Sequence, residues 1–242
     1  MSFFSKIGQF IKQFFFNPKW TCNVCGKEIF DGKYFCDDCE KELPFNDGAI
    51  CEHCGRKLKV ADNYCTTCKG KLVSFDRCRS VFTYDAPINK LIKNAKYDGK
   101  KYLLELFASY LSTAYAKHFL KADFITFIPM TEKSKKKRGY NQSQELSNLV
   151  GEKLGVQVIE CLRKTKETDR QATLNSGDRF KNLVDAFKII DKKVVLDKSI
   201  VVIDDVTTTG ATAETVAKIL KKAGAKSVYL LTVASVPPKD GY

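Results

Sequence analysis

No apolar run in this chain is long and unbroken enough to cross a bilayer as a helix, and no cleavable leader pattern is present. Both absences point to the cytoplasm. Also missing is the Gly-x-x-x-x-Gly-Lys-Ser/Thr spacing of a nucleoside-triphosphate loop. In the Thr/Gly-rich turn at 207–212, Ala211 stands where the lysine would be needed. Aliphatic residues are scarce over residues 20–72, so that segment cannot bury enough surface to hold a fold unaided. Taken whole, the 242 residues are 44% hydrophobic, enough for one ordinary domain with a core and a small satellite.

What the aliphatic-poor segment has instead is cysteine. Eight of the ten cysteines form four Cys-x-x-Cys pairs: Cys22/Cys25, Cys36/Cys39, Cys51/Cys54 and Cys65/Cys68. Each pair presents two thiolates from one tight turn to a single metal ion, and a second pair about ten residues on completes a tetrahedral Zn–S4 site. The two halves repeat at an offset of 29 residues, with Gly26 and Gly55 placed where a tight metal-binding turn needs an unusual backbone angle. Two structural Zn2+ sites are expected, 22/25 with 36/39 and 51/54 with 65/68; spacing leaves an interleaved pairing open. Four thiolates leave no coordination position for water, so the metal folds the segment rather than performing chemistry, and it implies a reducing compartment. His53 is superfluous as a ligand, and Cys78 and Cys161 read as small buried residues.

The formal charge of +13 falls to about +9 once two Zn2+ sit on eight thiolates. The excess belongs to residues 73–242, which hold 30 Lys/Arg against 19 Asp/Glu, and it suits polyanionic partners.

The most informative stretch is 200–212, IVVIDDVTTTGAT. Four branched apolar residues read as a buried strand with Asp204 and Asp205 at its carboxyl end. Val206, Thr207, Thr208, Thr209, Gly210, Ala211 and Thr212 then form a turn that opens an amphipathic helix. Amides and hydroxyls at a helix N-terminus favour an anion, Gly210 lets the backbone approach it closely, and the paired carboxylates accept hydrogen bonds from vicinal hydroxyls. Together these features form a cradle for a ribose bearing a 5′-phosphate.

Residues 1–19 space Phe3, Phe4, Ile7, Phe10, Ile11, Phe14 and Phe15 as an amphipathic helix. It is too short to span a bilayer, and packing on the protein's own core is favoured over peripheral membrane contact. Farther on, strands are expected at 81–84, 122–130, 156–162, 201–206 and 227–235, with helices around 91–95, over 102–118, through Leu146, Leu149, Val150 and Leu154, and over 213–223. The fold class is therefore α/β, a parallel sheet with helices on both faces. The divisions are an N-terminal helix (1–19), a double zinc ribbon (20–72) and a ligand-binding domain (75–242). Pro129 and Met130 end a strand where open sheets present ligands, and Arg138 closes a run with Lys133, Lys135, Lys136 and Lys137. That run is either a solvated face or a contact for a diphosphate or nucleic-acid backbone. The polar stretch 163–185 is too long for an idle connection and suits a lid or binding arm.

At 200–212 the chain resembles the type I phosphoribosyltransferases. In chain order it resembles the ComF family: four Cys-x-x-Cys pairs, Tyr84-Asp85-Ala86-Pro87, Lys96-Tyr97-Asp98-Gly99, Arg138-Gly139-Tyr140-Asn141-Gln142, then Gln171, Arg179 and Asn182, then the phosphoribosyl motif. That resemblance implies phosphoribosyl diphosphate bound with Mg2+ at Asp204, Asp205 and the 206–212 turn. It further implies a place in bacterial natural competence, with single-stranded DNA as a partner and a DNA translocation helicase as one candidate. The alternative is an active phosphoribosyl or glycosyl transferase on an unidentified acceptor. Purine-salvage relatives carry an aspartate at the position of Thr208, where it assists the base nitrogen, and this chain does not.

Overall fold

The computed structural model describes residues 20–58, 62–66, 68–119, 122–167 and 185–237. The amphipathic segment 1–19, the positions Gln171, Arg179 and Asn182, and most of the polar stretch 163–185 lie outside them. The chain divides into two compact units, residues 1–44 and 45–242.

The first unit is built on a metal-binding turn. The Cys22 amide donates to the Lys27 carbonyl (2.8 Å), the Gly26 amide to Cys22 (2.9 Å), and the Asn23 amide to Tyr34 (3.0 Å). A short helix α1 (Asp37–Lys41) follows. The second unit opens with the same turn: Cys51 to Arg56 (2.9 Å), Gly55 to Cys51 (2.9 Å) and Glu52 to Asn63 (2.8 Å). Even the isolated bridges match, Thr21 with Glu28 and Ile50 with Lys57. The repeat read from the sequence is thus a repeat of hydrogen bonds, and Gly26 and Gly55 both carry the positive φ it requires (77° and 66°).

After the second ribbon come β1 (Arg77–Thr83), α2 (Ile88–Tyr97), α3 (Tyr102–His118), β2 (Phe124–Phe127), α4 (Glu132–Arg138), α5 (Gln142–Leu154), β3 (Leu162–Lys164), β4 (Phe187–Ile189), β5 (Ser199–Thr207), α6 (Ala211–Lys222) and β6 (Ser227–Ser235). The main sheet has the order β1-β6-β5-β2, every pair parallel. Ile200, Val201, Val202 and Ile203 of central β5 are each 0% exposed, as expected of a strand covered on both faces. Burying each such side chain contributes about 1.5–3 kcal/mol. Ile200 and Val202 join Val216 and Leu220 of α6 in one core cluster, together with all four cysteines of the second ribbon. Helices α3 and α5 pack on each other and on the main sheet, closing the other face.

Three expectations need correcting. The strand expected at 156–162 is a single parallel bridge, Val158 with Ile125, after which the chain leaves the main sheet. The Cys161 carbonyl accepts from the Ile190 amide (2.8 Å) beside a separate antiparallel hairpin of β3 and β4. The strand expected at 122–130 is shorter, 124–127, because the chain swings out to start α4. Helix α4 itself was not anticipated, since a run of lysines has no apolar period. Its only signals are caps: Thr131 Oγ1 accepts from the Ser134 amide (3.2 Å), and Gly139 ends the helix in the left-handed conformation (φ 85°).

Candidate functional site

The sheet places the two adjacent acids at the carboxyl end of β5, one pairing in register with Thr232 of β6. Asp204 Oδ1 accepts from Ser143 Oγ in the first turn of α5 (2.7 Å) and from the Asp205 amide (2.9 Å). Asp205 Oδ2 lies 2.7 Å from Lys96 Nζ in the last turn of α2. Both side chains of that pair are mostly buried, 16% exposed for the acid and 18% for the lysine. A small cavity beside them is lined by Ile92, Leu104, Phe107, Leu146 and the buried Gln142. Burial pushes the Asp204 carboxyl up to about 7, with the neighbouring Asp205 charge adding to it and the Ser143 bond opposing it. An acid raised in the folded state withdraws stability as pH climbs from the ordinary carboxylate range through 7, so Asp204 costs the ligand-free protein stability. Burial works against the Lys96 charge, but Asp205 outweighs it and holds the ammonium above its ordinary value.

Thr208 and Thr209 are exposed in the turn beyond β5, and Gly210 (φ 83°) begins α6. The first bond inside the helix runs from the Glu214 amide to the Gly210 carbonyl (2.8 Å), which leaves the Thr212 and Ala213 amides at the open end without an intrahelical acceptor. Ala211 donates to Thr209 Oγ1 (3.3 Å). Thr207 is turned inward, its hydroxyl 3.4 Å from Thr232 Oγ1, so the candidate contacts of this turn come from residues 208–212.

Pro129 and Met130 follow β2 and lead into α4, whose Lys133, Lys135, Lys136 and Lys137 are all exposed. Arg138 is half-buried: its Nη1 donates to Gln142 Oε1 (2.8 Å), its Nη2 to Tyr97 Oη (3.4 Å), and the guanidinium lies 5.2 Å from the Tyr97 ring. Tyr140 donates its hydroxyl to the Ala95 carbonyl, and Asn141 Nδ2 donates to the Ile128 carbonyl (3.1 Å). The Arg138–Gln142 motif therefore ties the end of α2 to the end of β2, which fixes where Lys96 meets Asp205. Lys96 and Ser143 were not among the candidate site residues, because their partners lie 109 and 61 positions away. The one sequence signal was Lys96 opening the Lys-Tyr-Asp-Gly break.

The cysteines form two groups whose sulfurs all lie within 4.8 Å of one another, Cys22/Cys25/Cys36/Cys39 and Cys51/Cys54/Cys65/Cys68, so the pairing is sequential. A Zn–S4 tetrahedron with bonds of about 2.3 Å has edges of about 3.8 Å. The Cys25–Cys36 and Cys54–Cys65 separations, 3.8 and 3.7 Å, fit it. Both groups suit structural Zn2+. Cys78 and Cys161 are buried; burial pushes the Cys78 thiol up to about 12 and raises that of Cys161. Among the described residues no helix is long and apolar enough to cross a membrane.

A double zinc ribbon domain matches residues 11–69, and a phosphoribosyl transferase domain matches residues 114–240, more than half of the chain. Competence protein F of Haemophilus influenzae is 28% identical over 228 residues, 91% of this chain and 98% of its own. Competence protein ComFC of Streptococcus pneumoniae is 33% identical over 62% of this chain and 64% of its own length, and the DNA utilization protein YhgH of Escherichia coli is 28% identical over 86% of each. The solved allosteric regulatory enzyme of purine biosynthesis aligns at 19% identity and a TM-score of 0.38, over 54% of this chain and 26% of that one. With its double zinc ribbon followed by the parallel sheet and its acidic strand end, the chain belongs to the phosphoribosyltransferase domain family, in the arrangement expected of ComF proteins.

Proposed function

We propose that this protein serves DNA uptake or utilisation in the cytoplasm, holding phosphoribosyl diphosphate or a related sugar phosphate in its phosphoribosyltransferase-type site and single-stranded DNA on its basic surface. The observation that carries the first half is the convergence of Asp204, Asp205 and Lys96 beside the open amides and hydroxyls of the 208–212 turn. The acids face the ribose diol and a Mg2+ bound with it; the turn faces the 5′-phosphate; Lys96, released from Asp205, is a cation for the diphosphate. Binding rather than transfer is the reading favoured, because the exposed side chain at 208 is threonine, which is no general base. Calorimetric titration with phosphoribosyl diphosphate is expected to show binding that strengthens when Mg2+ is added. Absence of binding at millimolar ligand in both conditions would sink the proposal, and exchange of labelled diphosphate into phosphoribosyl diphosphate would replace binding with turnover.

The second half rests on α4 and on the names of the relatives, which refer to competence and DNA utilization. Lys133, Lys136 and Lys137 lie on neighbouring turns of a short exposed helix beside the site. Reversing Lys135, Lys136 and Lys137 to glutamate is expected to flatten the salt dependence of single-stranded DNA binding by about 0.7 in log–log slope for each phosphate the helix ceases to neutralise. An unchanged slope would remove α4 from the interface. A DNA translocation helicase remains the candidate protein partner.

A further inference from the structure

We propose that Arg56, in the second zinc ribbon, is a positioning residue for the phosphate turn, so that metal occupancy at Cys51/Cys54/Cys65/Cys68 and ligand binding in the phosphoribosyl site are coupled. This rests on the reading of that site given above.

Arg56 follows Cys54 by two residues and is only 5% exposed. Its guanidinium crosses to the sheet, where Nη2 donates to the backbone carbonyl of Thr208, 152 positions away. A trans peptide is planar, with its C=O and N–H pointing in opposite directions. Anchoring the Thr208 carbonyl on the ribbon therefore turns the Thr209 N–H away from the ribbon, toward the side on which an anion would sit. The guanidinium is a fixed, permanently charged donor, and a hydrogen bond from a charged group is stronger than a neutral one.

The arginine is held from behind by the metal-binding turn. Its carbonyl accepts from the Cys51 amide (2.9 Å), and the adjacent Gly55 amide donates to the Cys51 carbonyl (2.9 Å). The turn is pressed onto β1 so closely that a Cβ on Gly55 would lie 2.3 Å from the Cys78 carbonyl oxygen. Cys78 in turn donates its amide to the His53 carbonyl (2.7 Å). A second strut reaches the same helix: the Ser74 amide and hydroxyl donate to the carboxylate of Glu214, in the first turn of α6, at 2.8 and 2.6 Å. All four cysteines of this site are buried in the core cluster that includes Ala213 and Val216 of α6. The cysteine site, the arginine and the turn thus form one continuous chain of contacts.

The coupling is reciprocal in binding free energy, so it can be read as an affinity at either site. Zinc affinity would be measured by equilibrium competition with a chelator, with and without phosphoribosyl diphosphate, in the full-length, two-zinc protein. One of the two zinc equivalents is expected to be held about tenfold more tightly with ligand, while the other is unaffected. In Arg56→Gln, still carrying two zinc equivalents, that protection disappears and ligand affinity falls about tenfold or more, the usual scale for losing a hydrogen bond from a charged donor. Arg56→Lys, which keeps the charge, recovers part of both. If wild type binds ligand but its zinc affinity is indifferent to it, or if Arg56→Gln keeps both affinity and protection, the proposal is overturned. Should Arg56→Gln not retain its metal, Arg56→Lys decides: affinity and zinc protection both at the wild-type level would overturn the proposal. Failure of the underlying site reading would show separately, as absence of ligand binding in wild type.

Discussion

Asp205→Asn is expected to weaken phosphoribosyl diphosphate binding in Mg2+ by about 10- to 100-fold, the 1.5–3 kcal/mol typical of a hydrogen bond to a charged group. The substitution keeps the shape and removes the charge, so the weakening belongs to electrostatics rather than packing. Without Mg2+ the effect is expected to be smaller, because only the diol contact remains to be missed. Thermal stability should also fall. Lys96 is mostly buried against Asp205 (18% exposed), and a buried cation stripped of its partner costs folding free energy. Because both side chains keep some exposure, that cost lies below the roughly 3–5 kcal/mol of a fully buried broken pair. Equal affinity of mutant and wild type in Mg2+ would show that this carboxylate is no part of the ligand's environment.

Cys54→Ser is expected to unfold the whole of the second unit. Structural Zn2+ supplies about 10–16 kcal/mol of apparent binding free energy in small zinc-dependent folds, which matches or exceeds the roughly 5–15 kcal/mol net stability of a whole domain. Here the site is no appendage: Cys51, Cys54, Cys65 and Cys68 are all buried, with relative exposures of 0, 6, 1 and 6%. Disrupting them opens the core cluster that holds β5 and α6. Cys25→Ser is a different experiment. Cys25 is exposed and belongs to the compact unit 1–44, so one zinc equivalent should go while the cooperative melting of the larger unit persists. Circular dichroism melts with metal analysis of both variants check this. A Cys54→Ser protein that melts cooperatively near the wild-type temperature would contradict it.

The parts of this molecule legible in the sequence are those whose signal is local. The apolar run 200–203 announces a doubly covered strand, the period of Tyr102–His118 gives a helix with both ends correct, and the cysteine repeat gives the two metal sites. What stayed hidden depends on distant partners. Nothing near Lys96 says that it meets Asp205, and nothing near Arg56 says that it meets Thr208. Helix α4 was missed for the opposite reason: it is local, but its signature lies in two caps rather than in any period. Pairing of the cysteines sat between these cases, since spacing restricted the choice and only the folded chain decided it.

Among the described residues, both borders of the main sheet are partly occupied. Beyond β1, Phe45 bridges to Phe82 and the Asn46 amide donates to the Val81 carbonyl (2.8 Å); beyond β2, Ile125 is taken on both sides of its peptide by Gln157 and Ile159 (2.9 and 2.8 Å). Strand addition, the usual hazard of a flat, hydrogen-bond-hungry edge, is thereby hindered at the main sheet. A companion molecule therefore meets the main sheet through the elements around it more readily than through its edge strands.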